Sequence, residues 1–366
     1  MTVLIFLIVL AVLIFVHELG HFVAARSAGI RVDAFKIGFG PRIVHWKRGE
    51  TEYGINLIPF GGFVKIHGEN PDEESISGPD AARSFVNKKR WKQVMVLVAG
   101  VFFNFVFAWL LYSCAFMSGV TATSDGFEKY TDRFTDQRIM LTYIEPASPA
   151  DKAGFKMGDV LVSAQGYTDE LTIPSIQKYI AASSGSPLTF QVRRNGQLNT
   201  VEVTPAQGLV SDATSTYAVG IAMQKVGSLR LPFFTAIWEG LNYTRVMIRE
   251  TAIGLYTFVT NIFQGTANFS DVAGPVGIAG IVGDAAHMGF TYLVMITALI
   301  SINLGVINLI PFPALDGGRT LFVIIEGITR KRIPIKFTNT VNIVGFALLM
   351  LLMVVVTYQD ITKLFK

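Results

Sequence analysis

The chain has 366 residues, of which 51% are apolar and 16% charged, and its mean hydropathy is +0.45. Soluble proteins carry about 25% charge, so this chain lacks the polar surface for a wholly aqueous life, and disorder, a collagen-like repeat and a small disulfide-stapled fold are excluded. One cysteine, Cys114, rules out an intrachain disulfide and a four-sulfur metal site, and a net charge of +4 is informative only through where the charges fall.

Four apolar blocks approach the roughly 20 residues that a bilayer-spanning helix needs: residues 2–25, 93–117, 290–310 and 341–356. The first opens MTVLIFLIVLAVLIFV, with neither a positive n-region nor a small-residue cleavage site, so it is expected to be a retained span and not a removed signal. Residues 22–92 hold twelve basic against eight acidic side chains and end in KKRWK, and Arg330, Lys331, Arg332 and Lys336 follow the third block. Between the second and third blocks acidic residues slightly outnumber basic ones. The positive-inside rule therefore places residues 26–92 and 326–336 in the cytosol, residues 119–289 across the membrane, and both termini on that far side.

Within the far-side segment, residues 141–144 read as a strand, EPASPADKAGF as a turn entering a short helix, and MGDVLVSAQG as a tight turn and strand. IPSIQKYIAASS reads as an amphipathic helix, and PLTFQVRRNGQLNTVEVTP as a hairpin turning at Asn195-Gly196. This module, residues 126–225, resembles a PDZ domain, which implies capture of an extended peptide, such as a C-terminus, beside a sheet edge. Residues 231–263 mix apolar and charged side chains at helical spacing, as in an interfacial helix or a soluble linker helix. SDVAGPVGIAGIVGDAA, rich in Gly and Ala, suits close helix approach or a broken helix in a membrane bundle.

The chemistry sits near the end of the first span. His17-Glu18-Leu19-Gly20-His21 is an HExxH motif. Positions four apart share a helix face, so both imidazoles can reach one Zn2+ ion while Glu18 is placed to take a proton from water. Two histidines and a glutamate at the end of an apolar helix are costly unless they have partners or work. Catalytic zinc commonly uses three protein ligands. His45, His67 and His287 lie in polar or Gly-rich surroundings, whereas NLIPFPALDGG, residues 308–318, follows the third span directly. There Pro311 and Pro313 stop the helix, the glycines permit a sharp return, and Asp316 offers an oxygen ligand on the same membrane face as His17 and His21.

HELGH in the first span, NLIPFPALDGGR after the third and a PDZ-like insert between them resemble the site-2 metalloprotease family, in particular the bacterial branch that cleaves anti-sigma factors in the envelope stress response. The resemblance implies one Zn2+ held by His17, His21 and Asp316, with Glu18 as general base and Asn303 and Asn308 near the site and the substrate. It also matches Gly100 to Asn104 with a GxxxN element, Pro275 with a recurring segment, and GFGP with YGINLIPFGGFVKIHG, within residues 38–68, to a membrane-associated β-loop. Residues 55–66 are expected to form an edge strand there, bent at Gly61-Gly62, that holds an unwound substrate by backbone hydrogen bonds. Well-known enterobacterial members carry two tandem PDZ domains, and this chain has room for one.

The expected fold class is a polytopic α-helical membrane protein with about four transmembrane helices, a membrane-associated β-hairpin and an inserted PDZ-like α+β domain. The expected divisions are 1–118 and 290–366 for the membrane core, with the LDG motif at 315–317, 119–227 for the PDZ-like domain, and 228–289 for an amphipathic helix and Gly-rich linker. The implied activity is zinc-dependent intramembrane cleavage of single-span proteins, with an anti-sigma factor pre-cleaved by another protease as partner, in the bacterial inner membrane. The active site would face the cytosol and the PDZ-like domain the periplasm. A metal transporter would need polar residues along a through-going path, and a PDZ scaffold leaves HELGH and LDG unexplained. The basic cluster is accounted for by an anionic membrane surface, with no nucleic acid.

Overall fold

The computed structural model describes residues 1–123, 127–165, 167, 171–194, 196–208, 216–266 and 272–364. Two compact units emerge, one from Met1–Ala115 with Phe233–Lys366 and the other from Phe116–Pro232.

In the first unit, α1 (Thr2–Ser27) is apolar around its whole circumference for four turns, as a helix solvated by lipid must be. It ends where Gly29 adopts φ +70° and Ile30 N–H donates to the Ala25 carbonyl at 2.9 Å, closing the last turn. β1 (Val32–Arg48) and β2 (Thr51–Ile66) then form more than the simple hairpin expected. Each strand bends and pairs twice, so residues 32–37 lie between 62–66 on one side and 52–55 on the other, and 42–48 pair with 51–56. The bends fall where Gly38 and Gly40 (φ +82°) and Gly61 (φ +108°) take a conformation that a side chain resists. After α2 (Glu73–Ser77), the buried Gln93 amide donates to the Phe85, Val86 and Lys88 carbonyls and anchors the start of α3 (Arg90–Ser118).

The second unit holds a six-stranded sheet of order β3-β8-β4-β5-β6-β7, from β3 (Val120–Thr123), β4 (Phe134–Ile144), β5 (Val160–Ala164), β6 (Leu188–Arg194), β7 (Gln197–Val203) and β8 (Ile221–Leu229). Two helices, α4 (Pro149–Ala153) and α5 (Ile173–Ala182), lie where the sequence places them. α5 starts with a Thr172–Ser175 capping box and buries Ile176 and Ile180, one turn apart, against Leu141, Phe155 and Phe190, each worth about 2 kcal/mol. Asn195 of the expected Asn195-Gly196 turn lies outside the described residues. The turn before β5 is locked by Asp159, fully buried, which accepts from Arg194 Nε and Nη2, both at 2.7 Å, and from Lys156 N–H at 2.9 Å. Only Val226–Leu229 of β8 pairs with β3, so among the described residues the start of β8 carries a strand on one edge alone.

Returning to the first unit, residues 233–264 form one long helix, α6 (Phe233–Gln264). One stripe of it packs on other helices of the unit. Ala236, Gly240 and Thr244 make a buried stripe of small residues; Gly240 meets Ser113 of α3, Trp109 Nε1 donates to the Ile237 carbonyl at 2.9 Å, and Thr251 reaches Asn303. The Gly-rich segment expected as linker forms α7 (Pro275–Met288), whose Val282 packs on Val9 and Leu13 of α1. α8 (Phe290–Leu309), α9 (Asp316–Thr329) and α10 (Ile335–Leu364) complete the unit. α10 is mostly exposed, and near its end the buried Asp360 carboxylate accepts from Gly277 N–H at 2.8 Å at the start of α7. Four helices, α1, α3, α8 and α10, are long and apolar enough to cross a membrane, in agreement with the four expected spans.

Candidate metal centre

The site begins with two helices in backbone contact. A Cβ at Gly20 of α1 would stand 2.4 Å from the Ala99 carbonyl oxygen of α3, so glycine is what lets these helices meet. Directly opposite, a Cβ at Gly100 would stand 2.4 Å from His21 Nε2 and 2.9 Å from His17 Nε2. α3 thus roofs both imidazoles, which are buried and edge-to-face at 4.8 Å between ring centres.

The third group arrives from 299 residues away. α8 stops at Leu309, and the loop through Pro311 and Pro313 turns at Ala314, a non-glycine residue at φ +72° whose N–H is held by Asn342 Oδ1 at 3.2 Å. Contrary to the sequence expectation, glycines do not make this return. Gly317 and Gly318 are helical, and what they supply is space: a Cβ on either would stand 2.2 Å from the Ile310 or Phe312 carbonyl oxygen. Asp316 is the first residue of α9 and does not cap it; its carboxylate points to the histidines.

His17 Nε2 and His21 Nε2 lie 3.0 and 3.2 Å from Asp316 Oδ2, and 3.2 Å from each other. Donors about 2.0–2.1 Å from a tetrahedral zinc stand roughly 3.3 Å apart, so two imidazole nitrogens and one carboxylate oxygen in this near-equilateral triangle suit that ion in both chemistry and spacing. Among the described residues this is the one group of three or more such side chains close enough to share a metal. Glu18, at the adjacent helix position, lines the same cavity, as does Val64 of β2. Gly62 brings that strand in; a Cβ there would stand 3.0 Å from Ile14 and 3.4 Å from Glu18 Cγ.

The cavity measures about 630 Å³ and is bounded by the His17, His21 and Asp316 triangle, by residues 63–67 of the strand and its end, and by Arg31, Glu69 and Arg319. Asn303 and Asn308 are not among its lining residues. Asn303 Oδ1 accepts from Thr251 Oγ1 at 3.1 Å, and Asn308 is half-buried in the last turn of α8.

A sequence profile of peptidase family M50 matches residues 5–352. The chain belongs to peptidase family M50. It is 38% identical over 357 residues to a Clostridium perfringens protein provisionally named a zinc metalloprotease, covering 97% of both chains. It is 31% identical to the zinc metalloprotease RasP of Geobacillus kaustophilus, covering 98% of this chain and 97% of that one, and 35% identical to a provisionally named zinc metalloprotease of a Nostoc species. Family M50 membership and the His17, His21, Asp316 cluster together make this chain a membrane metalloprotease.

Some of the surroundings escaped sequence reasoning. Arg319, one turn after Asp316, pairs with Glu69 at the cavity rim, where burial pushes the Glu69 carboxyl up in pKa against the opposing pull of Arg319. The one available signal was the i,i+3 spacing of Asp316 and Arg319, which places both on one side of α9.

Proposed function

We propose that this protein cleaves the transmembrane segment of single-span membrane proteins, with His17, His21 and Asp316 as zinc ligands and Glu18 as general base. The observation that carries the reading is the donor triangle with the Glu18 carboxylate beside it, at the end of an apolar helix and open to a polar cavity. Zinc supplies Lewis acidity toward the scissile carbonyl and the attacking water. Glu18 takes the water proton and returns it to the leaving amine.

A helical substrate must unwind before its carbonyl is reachable. Residues 62–66 pair with β1 on one edge and line the cavity with the other, which supports their use as a template for an extended substrate. Irregular backbone at membrane depth is tolerated where protein or a water-filled cavity covers its polar groups. Asn303 and Asn308 we assign to holding the substrate backbone.

The charge distribution supports a cytosolic active site and a periplasmic second unit in a bacterial inner membrane. The half-paired start of β8, beside which a peptide could add, supports a PDZ-like role for that unit in recognising newly made C-termini. An anti-sigma factor shortened by another protease is the substrate we favour, which would place the protein in the envelope stress response. The test is zinc per chain together with cleavage of a panel of single-span substrates, for wild type and Glu18→Gln. Stoichiometric zinc in both and cleavage only by the wild type is the expected result; cleavage surviving in the variant refutes the mechanism.

A further inference from the structure

α3 meets the metal triangle at three points. The first is Gly100. The second is the Val96 carbonyl, which accepts from His21 Nδ1 at 2.8 Å, so the His21 ring proton sits on Nδ1 and the Nε2 lone pair faces Asp316 and His17. His17 has the same requirement. Its Nε2 is the atom in the triangle, so with a metal there the single ring proton must sit on Nδ1, and a buried Nδ1–H needs an acceptor.

The third point is Asn104, fully buried, whose side-chain amide faces His17 Nδ1 at 3.1 Å. The amide nitrogen is turned toward the ring, and the buried Oδ1 has no hydrogen-bond partner among the described residues. A donor in that position suits only the tautomer that carries its proton on Nε2, the one that donates to Asp316 at 3.0 Å and cannot ligate a metal. Amide oxygen and nitrogen are nearly equal in size, so a half-turn of the side chain exchanges them without displacing a neighbour. One amide atom stays unpartnered either way, and the imidazole therefore decides the orientation. The backbone does not move with it, because Ser301 Oγ holds the Asn104 carbonyl at 2.9 Å.

We propose that Asn104 is the positioning residue for His17: its side-chain oxygen accepts from His17 Nδ1–H, fixes the tautomer whose Nε2 binds the metal, and sets the plane of the ring. Val96 and Asn104, eight residues apart on α3, thereby orient the two histidines of α1. This deepens the zinc reading above and rests on it.

The test measures zinc affinity of the full-length protein in detergent by competition with a chromophoric chelator, for wild type, Asn104→Leu and Asn104→Asp. Leucine keeps the shape and removes the acceptor, and its zinc affinity is expected to fall about 10–100-fold. Aspartate restores an acceptor and is expected to stay within about three-fold of wild type, as a carboxylate partner to a ligating histidine does. Leucine binding as tightly as wild type, or aspartate losing as much as leucine, overturns the proposal. Magnetic resonance of zinc-loaded wild type with isotope-labelled histidine gives a second reading that no variant's folding can confuse. A proton on His17 Nδ1 is expected, and a bare Nδ1 overturns the proposal. Wild type that binds no zinc sinks the metal reading itself, whereas tight binding with indifferent variants sinks only the role of Asn104.

Discussion

Replacing Gly100 by alanine adds one methyl group where the structure has no room for it. The new carbon would stand 2.4 Å from His21 Nε2, 2.8 Å from His17 Cε1 and 2.9 Å from His17 Nε2, against ordinary van der Waals separations of roughly 3.5–4 Å. Either α3 withdraws by about 1 Å or the two rings rotate off the metal position. A site of this kind tolerates about 0.5 Å, and a 1 Å misplacement costs on the order of 100-fold in rate. Gly100→Ala is therefore expected to lose about 100-fold or more in cleavage and to bind zinc more weakly. The control is Gly254→Ala in α6, where a Cβ meets nothing within 4 Å. There the better helix propensity of alanine is free to act, so the change is expected to be neutral or stabilising by up to about 1 kcal/mol. Both variants would be compared with wild type by zinc content, cleavage rate and thermal unfolding in the same detergent. Gly100→Ala with wild-type zinc content and a rate within about three-fold would refute the reasoning, because 1 Å of displacement would then have had no effect on the chemistry.

Two further outcomes follow from other parts of the molecule. Gly345→Ala in α10 would put a methyl 2.6 Å from Pro313 Cβ and 2.7 Å from its carbonyl oxygen, pushing the loop that delivers Asp316; weakened zinc binding is expected from a change 29 positions away from that proposed ligand, and unaltered binding would show that the loop gives way freely. In the second unit, burial alone would raise the Asp159 pKa, but the Arg194 pair and Lys156 N–H outweigh it and hold the carboxyl below the usual range. A depressed folded pKa contributes stability that is present above the unfolded value, near 4, and is lost as pH falls through the folded one. Asp159→Asn should remove about 1.5–3 kcal/mol at neutral pH and flatten the loss of stability below pH ~4, as read by hydrogen exchange across residues 141–203; an unchanged acid profile would count against the pair.

Helical periodicity alone was enough to put His17 and His21 on one face with Glu18 beside His17, because the contact is made within a single turn of one helix. Hydropathy was likewise enough for the four long helices, since the need to satisfy backbone groups inside lipid leaves a 20-residue apolar run few alternatives. The alternation and turn residues of the second unit marked α4, α5 and the β6–β7 pair, all of which depend on neighbours in sequence. What pattern could not reach were choices made between distant segments. The double pairing of β1 and β2 is invisible because each residue of 34–37 has two partners, and alternation records only that one face is apolar. Residues 231–263 had composition suited to an interface or a linker, and the stripe at Ala236, Gly240 and Thr244 gained meaning only when Ser113 and Trp109 were found against it. The glycines of the LDGG run looked like a turn and proved to be a place where two backbones touch. The candidate metal site divides the same way: HELGH brings His17 and His21 together by local geometry, while Asp316, the roof at Gly100 and the contacts at Val96 and Asn104 come from other helices, and only their packing brings them to the two imidazoles.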